Sequence, residues 1–370
     1  MSREDAPRVE DEAPLYGWAR STLYGDGGPA GAAVRTAARP VGWAWNRIAG
    51  RRLRRRRSSA RLPAPAVGVG NVTVGGGGKT SLVGWLLEEG LPEGAQAAVL
   101  SRGTGRVGSG VWVLRPGEDV PPERVGDEPA LLARAGAWVG VARDREKAAR
   151  AVAARRRPHV FILDDALQHR RVARALDLVV FTAEDLEAPA RCLPAGPLRQ
   201  GPGWRPALGA WIVVGEDPRG RAHAEGTIGN AFEAWWEGLP GFTGRWRDAG
   251  TVELGGWRAG REIPFDPVGD VVAFAGVARP GSVESFARST GRSPRRMVAF
   301  PDHHRYRAGD ARGLLDAHPE AALLTTEKDA VKLDPAWFGD RPVGVLRRRL
   351  ELEQPGAMRD LVREAIGWPR

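Results

Sequence analysis

Cysteine is almost missing from this chain: Cys192 is the single one in 370 residues. That excludes an internal disulfide framework and a cysteine-based zinc cluster, and it fits a reducing, cytoplasmic compartment. Lysine is nearly as scarce, with only four of the 55 basic residues. No uncharged apolar run approaches the ~18 residues that a spanning helix needs, so a polytopic membrane protein is excluded. The acidic start, MSREDAPRVEDEAPLYGWAR, has no apolar h-region, and no signal peptide is expected. What is present is an ordinary folded composition, 42% hydrophobic and 27% charged, which rules out disorder and collagen. The length suits about two domains with real cores.

The net charge of +10 is not spread evenly. Residues 27–61 hold ten Arg and no Asp or Glu, so the rest of the chain is close to neutral. A basic nucleic-acid-binding domain is therefore not expected. The excess culminates in Arg51-Arg52-Leu53-Arg54-Arg55-Arg56-Arg57, preceded by Trp43, Trp45 and Ile48. Arginines beside interfacial tryptophans suit an anionic membrane surface. Pro40 is expected to limit any helix here to short pieces.

After this segment, strand and helix patterns alternate. Apolar strands are expected at 66–74, 97–103, 137–143, 159–165, 176–183 and 210–215. Helices are expected after residue 78, at 128–136 and at 144–156, the last capped by Asp144. Continuous apolar strands separated by helices mean a parallel sheet covered on both faces. Residues 216–268 lose this rhythm and read as a linker with a β-hairpin. A second, smaller series of strands and helices starts at 270 and closes with a helix near 356–367. The expected organisation is an N-terminal basic segment (1–61), a P-loop domain (62–216), a linker (217–268) and a smaller C-terminal α/β domain (269–370).

The strongest motif is GVGNVTVGGGGKTS (68–81). Gly75, Gly76, Gly77 and Gly78 let the backbone wrap around phosphates with N–H groups pointing inward. The following helix N-terminus adds positive potential. Lys79 can reach the β- and γ-phosphates, and the Thr80 hydroxyl can ligate Mg²⁺. Thr73 stands where the strict pattern has its first glycine. A second motif, VFILDDALQH (160–169), places Asp164 and Asp165 at the carboxyl end of a strand, where a P-loop protein needs an acid linked to the metal. Spacing does not choose between the two. Other clusters are ambiguous when read locally. Asp127 in VGDEPALLA reads as a helix cap, His303 and His304 in FPDHHRY as surface residues, and TTEKDAVKL (325–333) as a solvated loop.

Taken in order, GNVTVGGGGKTS, SRGTG, VGDEPALLA, DDALQH, LPAGPLRQ, AFAGVARPGS, FPDHHRY and TTEKDAVKL resemble the tetraacyldisaccharide 4′-kinases of lipid A biosynthesis. The resemblance covers roughly residues 15–350. It implies a P-loop NTPase (RecA-like) lobe and a smaller α/β lobe joined by a two-stranded linker. It also implies transfer of the γ-phosphate of ATP, with Mg²⁺, to the 4′-hydroxyl of a tetraacyldisaccharide 1-phosphate. Such enzymes act as peripheral, monotopic proteins at the cytoplasmic face of the bacterial inner membrane. By the same resemblance Asp127 and His303 act together on the acceptor hydroxyl, and Lys79 and Thr80 are the P-loop pair. Asp164 and Asp165 are the paired acids, with Gln168 near the metal. The chain departs from the family pattern at Gly77, Ser81, Thr104, Ala166 and Gln200, the last standing where Glu is usual. The rival reading is a membrane-recruited P-loop ATPase switch that phosphorylates no lipid. It accounts for the P-loop and the basic segment, but not for the His-bearing second lobe.

Overall fold

The structure is a computed structural model that describes residues 19, 21–25, 27–54, 59–169, 171–203, 209–215 and 225–369. The acidic start up to residue 18 and Arg55–Arg57 of the arginine run lie outside the described residues. Twelve strands among these residues form one sheet. In chain order they are β1 (Ala66–Gly70), β2 (Ala97–Ser101), β3 (Trp112–Leu114), β4 (Trp138–Val141), β5 (Val160–Leu163), β6 (Leu176–Thr182), β7 (Gly209–Val214), β8 (Gly241–Glu253), β9 (Val271–Ala275), β10 (Arg296–Ala299), β11 (Ala322–Thr326) and β12 (Val343–Leu352). Across the sheet the order is β10-β9-β11-β12-β8-β7-β6-β1-β5-β2-β4-β3.

The first half of the chain builds the run from β7 to β3. β1 lies between β5 and β6, parallel to both. Every residue of β1, β5 and β7 is buried, which is why these strands read as unbroken apolar runs. The second half builds β10-β9-β11-β12, with its own core around Phe274, Leu323 and Val345.

The two halves meet at β8 and β12. β8 is parallel to β7 and antiparallel to β12. This corrects the expected hairpin linker. The junction is two-stranded, but the second strand comes from about a hundred residues later. Among the described residues of 217–268 the return shrinks to a single isolated bridge between Val252 and Pro264. β12 escaped the sequence reading because its middle is Arg347-Arg348-Arg349. Two of those arginines are neutralised by neighbours from elsewhere, Arg347 by Glu262 and Arg349 by Glu327, while Arg348 lies over the ring of Trp246.

At the N-terminus, helices α1 (Gly28–Ala37) and α2 (Arg39–Arg54) precede the sheet. Pro40 does not break α2, because it stands in the first turn, where a missing N–H loses no intrahelical bond. One face of α2 packs on the 191–201 turn. Gly42 lies against the Cys192 carbonyl, and the Gly201 amide donates to Asn46 Oδ1. A buried knot ties this region to both halves of the sheet. Asp185 Oδ1 accepts from Tyr24 Oη at 3.0 Å and from Arg279 Nη2 at 2.6 Å, while Tyr24 also donates to the Val74 carbonyl.

Candidate active site

β1 delivers the chain into the glycine loop, and helix α3 (Lys79–Trp85) leaves it. The turn requires left-handed backbone at Gly75 (φ 96°) and Gly78 (φ 81°), positions that side chains disfavour. Gly75 to Thr80 line one side of a cleft whose far wall comes from the second half of the chain. Lys79 Nζ donates to Asn71 Oδ1 at 3.0 Å and stands 3.6 Å from Asp165. The lysine is therefore held at the mouth of the loop rather than free in solvent.

The paired acids have different surroundings. Asp165 takes a left-handed conformation (φ 48°) and is gripped by Arg199 at 2.9 and 3.1 Å. Burial would raise its carboxyl, but Lys79 and Arg199 outweigh burial and hold it below the usual carboxylate range. Asp164 is 5% exposed, and its buried Oδ1 has no hydrogen-bond partner. Burial, with Glu128 and Asp165 close by, pushes it up to about 7. Asp164 lines the cleft together with Thr80. The structure thus separates two residues that spacing could not. Asp165 is an ion-pair partner, and Asp164 presents an unsatisfied carboxylate oxygen.

Gln168 lies elsewhere than expected. Its amide donates to the Asn71 carbonyl at 3.1 Å and to Gln200 Oε1 at 3.3 Å, so it braces the base of the P-loop and does not line the cleft. Arg145, which the sequence reading did not single out, lines the cleft with only 3% exposure, and burial lowers it to about 10.

Across the cleft, helix α4 (Asp127–Arg134) begins at Asp127. The cap position belongs to Gly126, and the Asp127 side chain makes no capping bond. It reaches the other half of the chain instead: its Oδ2 lies 3.0 Å from His303 Nδ1. His303 follows β10 in a left-handed conformation (φ 60°), fixed by its N–H donating to the Gly276 carbonyl. Strain of this kind in a non-glycine residue persists only where the surroundings enforce it. The hydrogen bond to Asp127 raises the imidazole above its ordinary range against the effect of burial. Burial also opposes the charge on Asp127, but His303, Lys332 and Lys328 outweigh it and keep the carboxyl low. His304, in contrast, is structural, with Nε2 3.3 Å from Asp310 and its ring against Phe300 and Tyr306.

The segment read as a solvated loop forms the floor of the site. Lys328 Nζ donates to Asp302 at 3.1 Å and stands 3.5 Å from both Glu128 and His303 Nε2. Those carboxylates raise its affinity for a proton in spite of burial. Lys332 is buried beneath Asp127. One signal in the sequence pointed here. In a chain that uses arginine almost everywhere, three of its four lysines, at 79, 328 and 332, converge on this site.

Away from the cleft, α1 and α2 expose Val34, Val41, Trp43, Trp45 and Ile48, and Trp43 (64% exposed) carries Arg47 over its ring. No helix among the described residues is long and apolar enough to cross a membrane.

The family model for tetraacyldisaccharide-1-P 4′-kinase matches residues 34–367. A tetraacyldisaccharide 4′-kinase of Methylorubrum extorquens is 38% identical over 335 residues, which cover 90% of this chain and 94% of that one. The one from Chromobacterium violaceum is 37% identical over 278 residues, 75% and 76% of the two chains. Among solved structures, the "apo" form of LpxK from Aquifex aeolicus in complex with ATP is similar with a TM-score of 0.69. It is 27% identical, and the match covers 90% of this chain and 99% of that one.

Proposed function

The chain belongs to the tetraacyldisaccharide-1-P 4′-kinase family, and we propose how its cleft carries out that reaction, transfer of the ATP γ-phosphate to the 4′-hydroxyl of a tetraacyldisaccharide 1-phosphate. Phosphoryl transfer passes through a loose transition state, so the protein's work is positioning and charge neutralisation. The glycine loop and Lys79 hold the β- and γ-phosphates. Asp127, oriented by His303, takes the proton of the acceptor hydroxyl as the bond to phosphorus forms. Lys328 lines the same cleft 3.5 Å from His303 Nε2, where its charge can help neutralise the transferring phosphoryl group.

The residues present fit a magnesium ion. Asp164 offers an unpartnered buried oxygen, and Thr80 offers a hydroxyl at the start of α3. These two would hold the ion, which supplies charge neutralisation on the phosphate oxygens. Asp165, occupied by Lys79 and Arg199, fixes the lysine instead.

The observation that carries this reading is the 3.0 Å pair between Asp127 and His303, which joins the two halves of the chain across the cleft lined by the P-loop. Residues 62–216 and 269–370 act as two domains about the 217–268 linker, and their closure assembles the pair and excludes water that would hydrolyse ATP. The acceptor is a lipid, so the cleft works at a membrane. The apolar residues exposed on α2 and the arginine-rich sequence that follows them support docking of the cleft to the anionic cytoplasmic surface of the inner membrane without a span.

The test is a pair of single variants and their double. Asp127→Ala and His303→Ala should each lower kcat by roughly 10²–10⁴. The double should be little worse than the worse single, because residues acting as one unit are not additive. Independent multiplicative losses would show two separate jobs, and an unaffected single would remove that residue from the mechanism. Nothing in the comparisons favours the ATPase switch.

A further inference from the structure

The Asp127–His303 pair has a third neighbour that neither residue's motif announces. Both contacts recorded for the Asp127 carboxylate fall on one oxygen. Oδ2 faces His303 Nδ1 at 3.0 Å and Lys332 Nζ at 3.5 Å. Oδ1 makes neither of these contacts. The Lys332 side chain is only 3% exposed, against 10% for Asp127, so it supports the carboxylate from the buried side.

Lys332 is itself held from behind. Its Nζ donates to Asp329 Oδ1 at 2.9 Å, and Asp329 has no exposed surface. The same Asp329 oxygen accepts from the Tyr306 hydroxyl at 3.2 Å and from the Gly276 N–H at 3.1 Å, while Oδ2 accepts from Thr326 Oγ1 at 2.8 Å. The Gly276 carbonyl receives the His303 N–H. One buried carboxylate therefore anchors both the lysine under Asp127 and the backbone that sets His303 in its strained conformation. A buried ammonium that served only to neutralise Asp329 would have no need to face a second carboxylate in the active site.

We propose that Lys332 is a third, positioning member of the Asp127–His303 pair, holding the Asp127 carboxylate by Oδ2 and keeping it charged while Oδ1 receives the acceptor's proton. The proposal rests on the reading of Asp127 as base. The charges around the pair are Lys332 and Lys328 from the 326–332 segment, Glu128 beside Asp127, and Asp302 beside His303. Glu128 and Asp302 stand 3.8 and 3.9 Å from His303 Nε2. Lys328 is shared among Asp302, Glu128 and His303, so Lys332 is the cation closest to Asp127 itself. An opposite charge at this range lowers a carboxyl by roughly one to three units. Sharing with Asp329 puts the effect at the low end. Removing the cation raises the proton affinity of the pair whichever member carries the proton.

The experiment is the pH dependence of kcat/KM for the full chain with ATP, Mg²⁺ and the tetraacyl disaccharide 1-phosphate in detergent micelles. Lys332→Met should move the acid limb upward by about one pH unit, with activity recovering at higher pH. Lys332→Arg, which keeps the charge, should leave the limb in place. Because Lys332→Met strands Asp329 as an unpaired buried charge, the double variant Lys332→Met/Asp329→Asn provides a neutral replacement. It should show the same displacement. A rate lowered by one factor at every pH, with the limb unmoved in the single or the double, would mean a purely structural lysine and overturn the proposal. So would wild-type behaviour. Asp127→Asn, run alongside, separates the failures. If it is inactive and the limb is unmoved, the Lys332 role alone falls; if it is active, the reading of Asp127 as base falls and takes this role with it.

Discussion

Asp164→Asn should make the ligand-free protein more stable and the enzyme inactive, and the gain should depend on pH. Asp164 is 5% exposed, and burial, with Glu128 and Asp165 nearby, pushes its carboxyl up to about 7 from an ordinary 3.8. A carboxyl raised in the folded state binds its proton more tightly there than in the unfolded chain. Stability is therefore lost as pH climbs from about 4 to about 7 and stays lost above. Three units at ~1.4 kcal/mol each set a ceiling of about 4 kcal/mol. Two of those units fall between pH 5 and pH 7. With relaxation around the site, the advantage of the neutral amide should grow by about 1–2 kcal/mol from pH 5 to pH 8.5. At roughly 2 °C per kcal/mol for a chain of this size, that is a further rise in Tm of about 2–4 °C. The assay is thermal unfolding of wild type and variant at both pH values, without nucleotide or metal. Adding Mg²⁺ and ATP should then raise the Tm of the wild type and leave the variant nearly unmoved. An advantage equal at the two pH values, or a variant less stable at both, would refute the claim that Asp164 is a strained carboxylate awaiting a cation.

Other perturbations reach different parts of the account. Lys79→Ala should nearly abolish phosphoryl transfer with a little-changed melting curve, since among the described residues its polar contacts are with Asn71 and Asp165, and Arg199 still holds Asp165; near-normal lipid kinase activity would remove it from the phosphate site. Asp185→Asn should destabilise the fold by about 3 kcal/mol in urea titration, because it takes the buried anion from the Arg279 guanidinium and leaves it only the more exposed Glu184 at 3.4 Å; a loss below about 1 kcal/mol would mean the knot is not a buried ion pair in solution. Replacing Arg51, Arg52 and Arg54–Arg57 with Gln should weaken binding to anionic vesicles and leave ATP binding intact, and high salt should mimic the change. Equal sedimentation of variant and wild type with vesicles, at low and high salt alike, would show that the arginine run is not the membrane contact.

The parts of the site that were legible in the sequence are those whose chemistry is contiguous. The glycines, Lys79 and Thr80 lie side by side because one turn must both cradle phosphate and start a helix. Asp164 and Asp165 were legible as a pair because a buried apolar strand ends in them. Their division of labour was not, because it depends on Arg199 from another turn and Glu128 from another helix. Asp127 and His303 are 176 residues apart, and nothing local distinguishes the first from a helix cap or the second from a surface histidine. Only the order of motifs shared with a known family paired them. Lys328 and Lys332 look solvated in a mixed-charge segment, since the carboxylates that bury them arrive from β10 onward, from α4 and from their own turn. β8 and β12 failed for a related reason. The charged, glycine-rich centre of β8 reads as linker and the arginine-rich centre of β12 reads as no element until the two are paired with each other. The long helix α2 was missed because Pro40 was weighed as a breaker rather than as a first-turn residue.

The central claim is that this cleft moves phosphate from ATP to a lipid-borne sugar hydroxyl. It is tested most directly by incubating the purified protein with ATP, Mg²⁺ and the tetraacyldisaccharide 1-phosphate and analysing the lipid by mass spectrometry with fragmentation. The account predicts a gain of one phosphate, located on the distal sugar at the 4′-position, with ADP formed in equal amount. ADP released while the lipid mass stays unchanged would contradict it and leave an ATPase in its place.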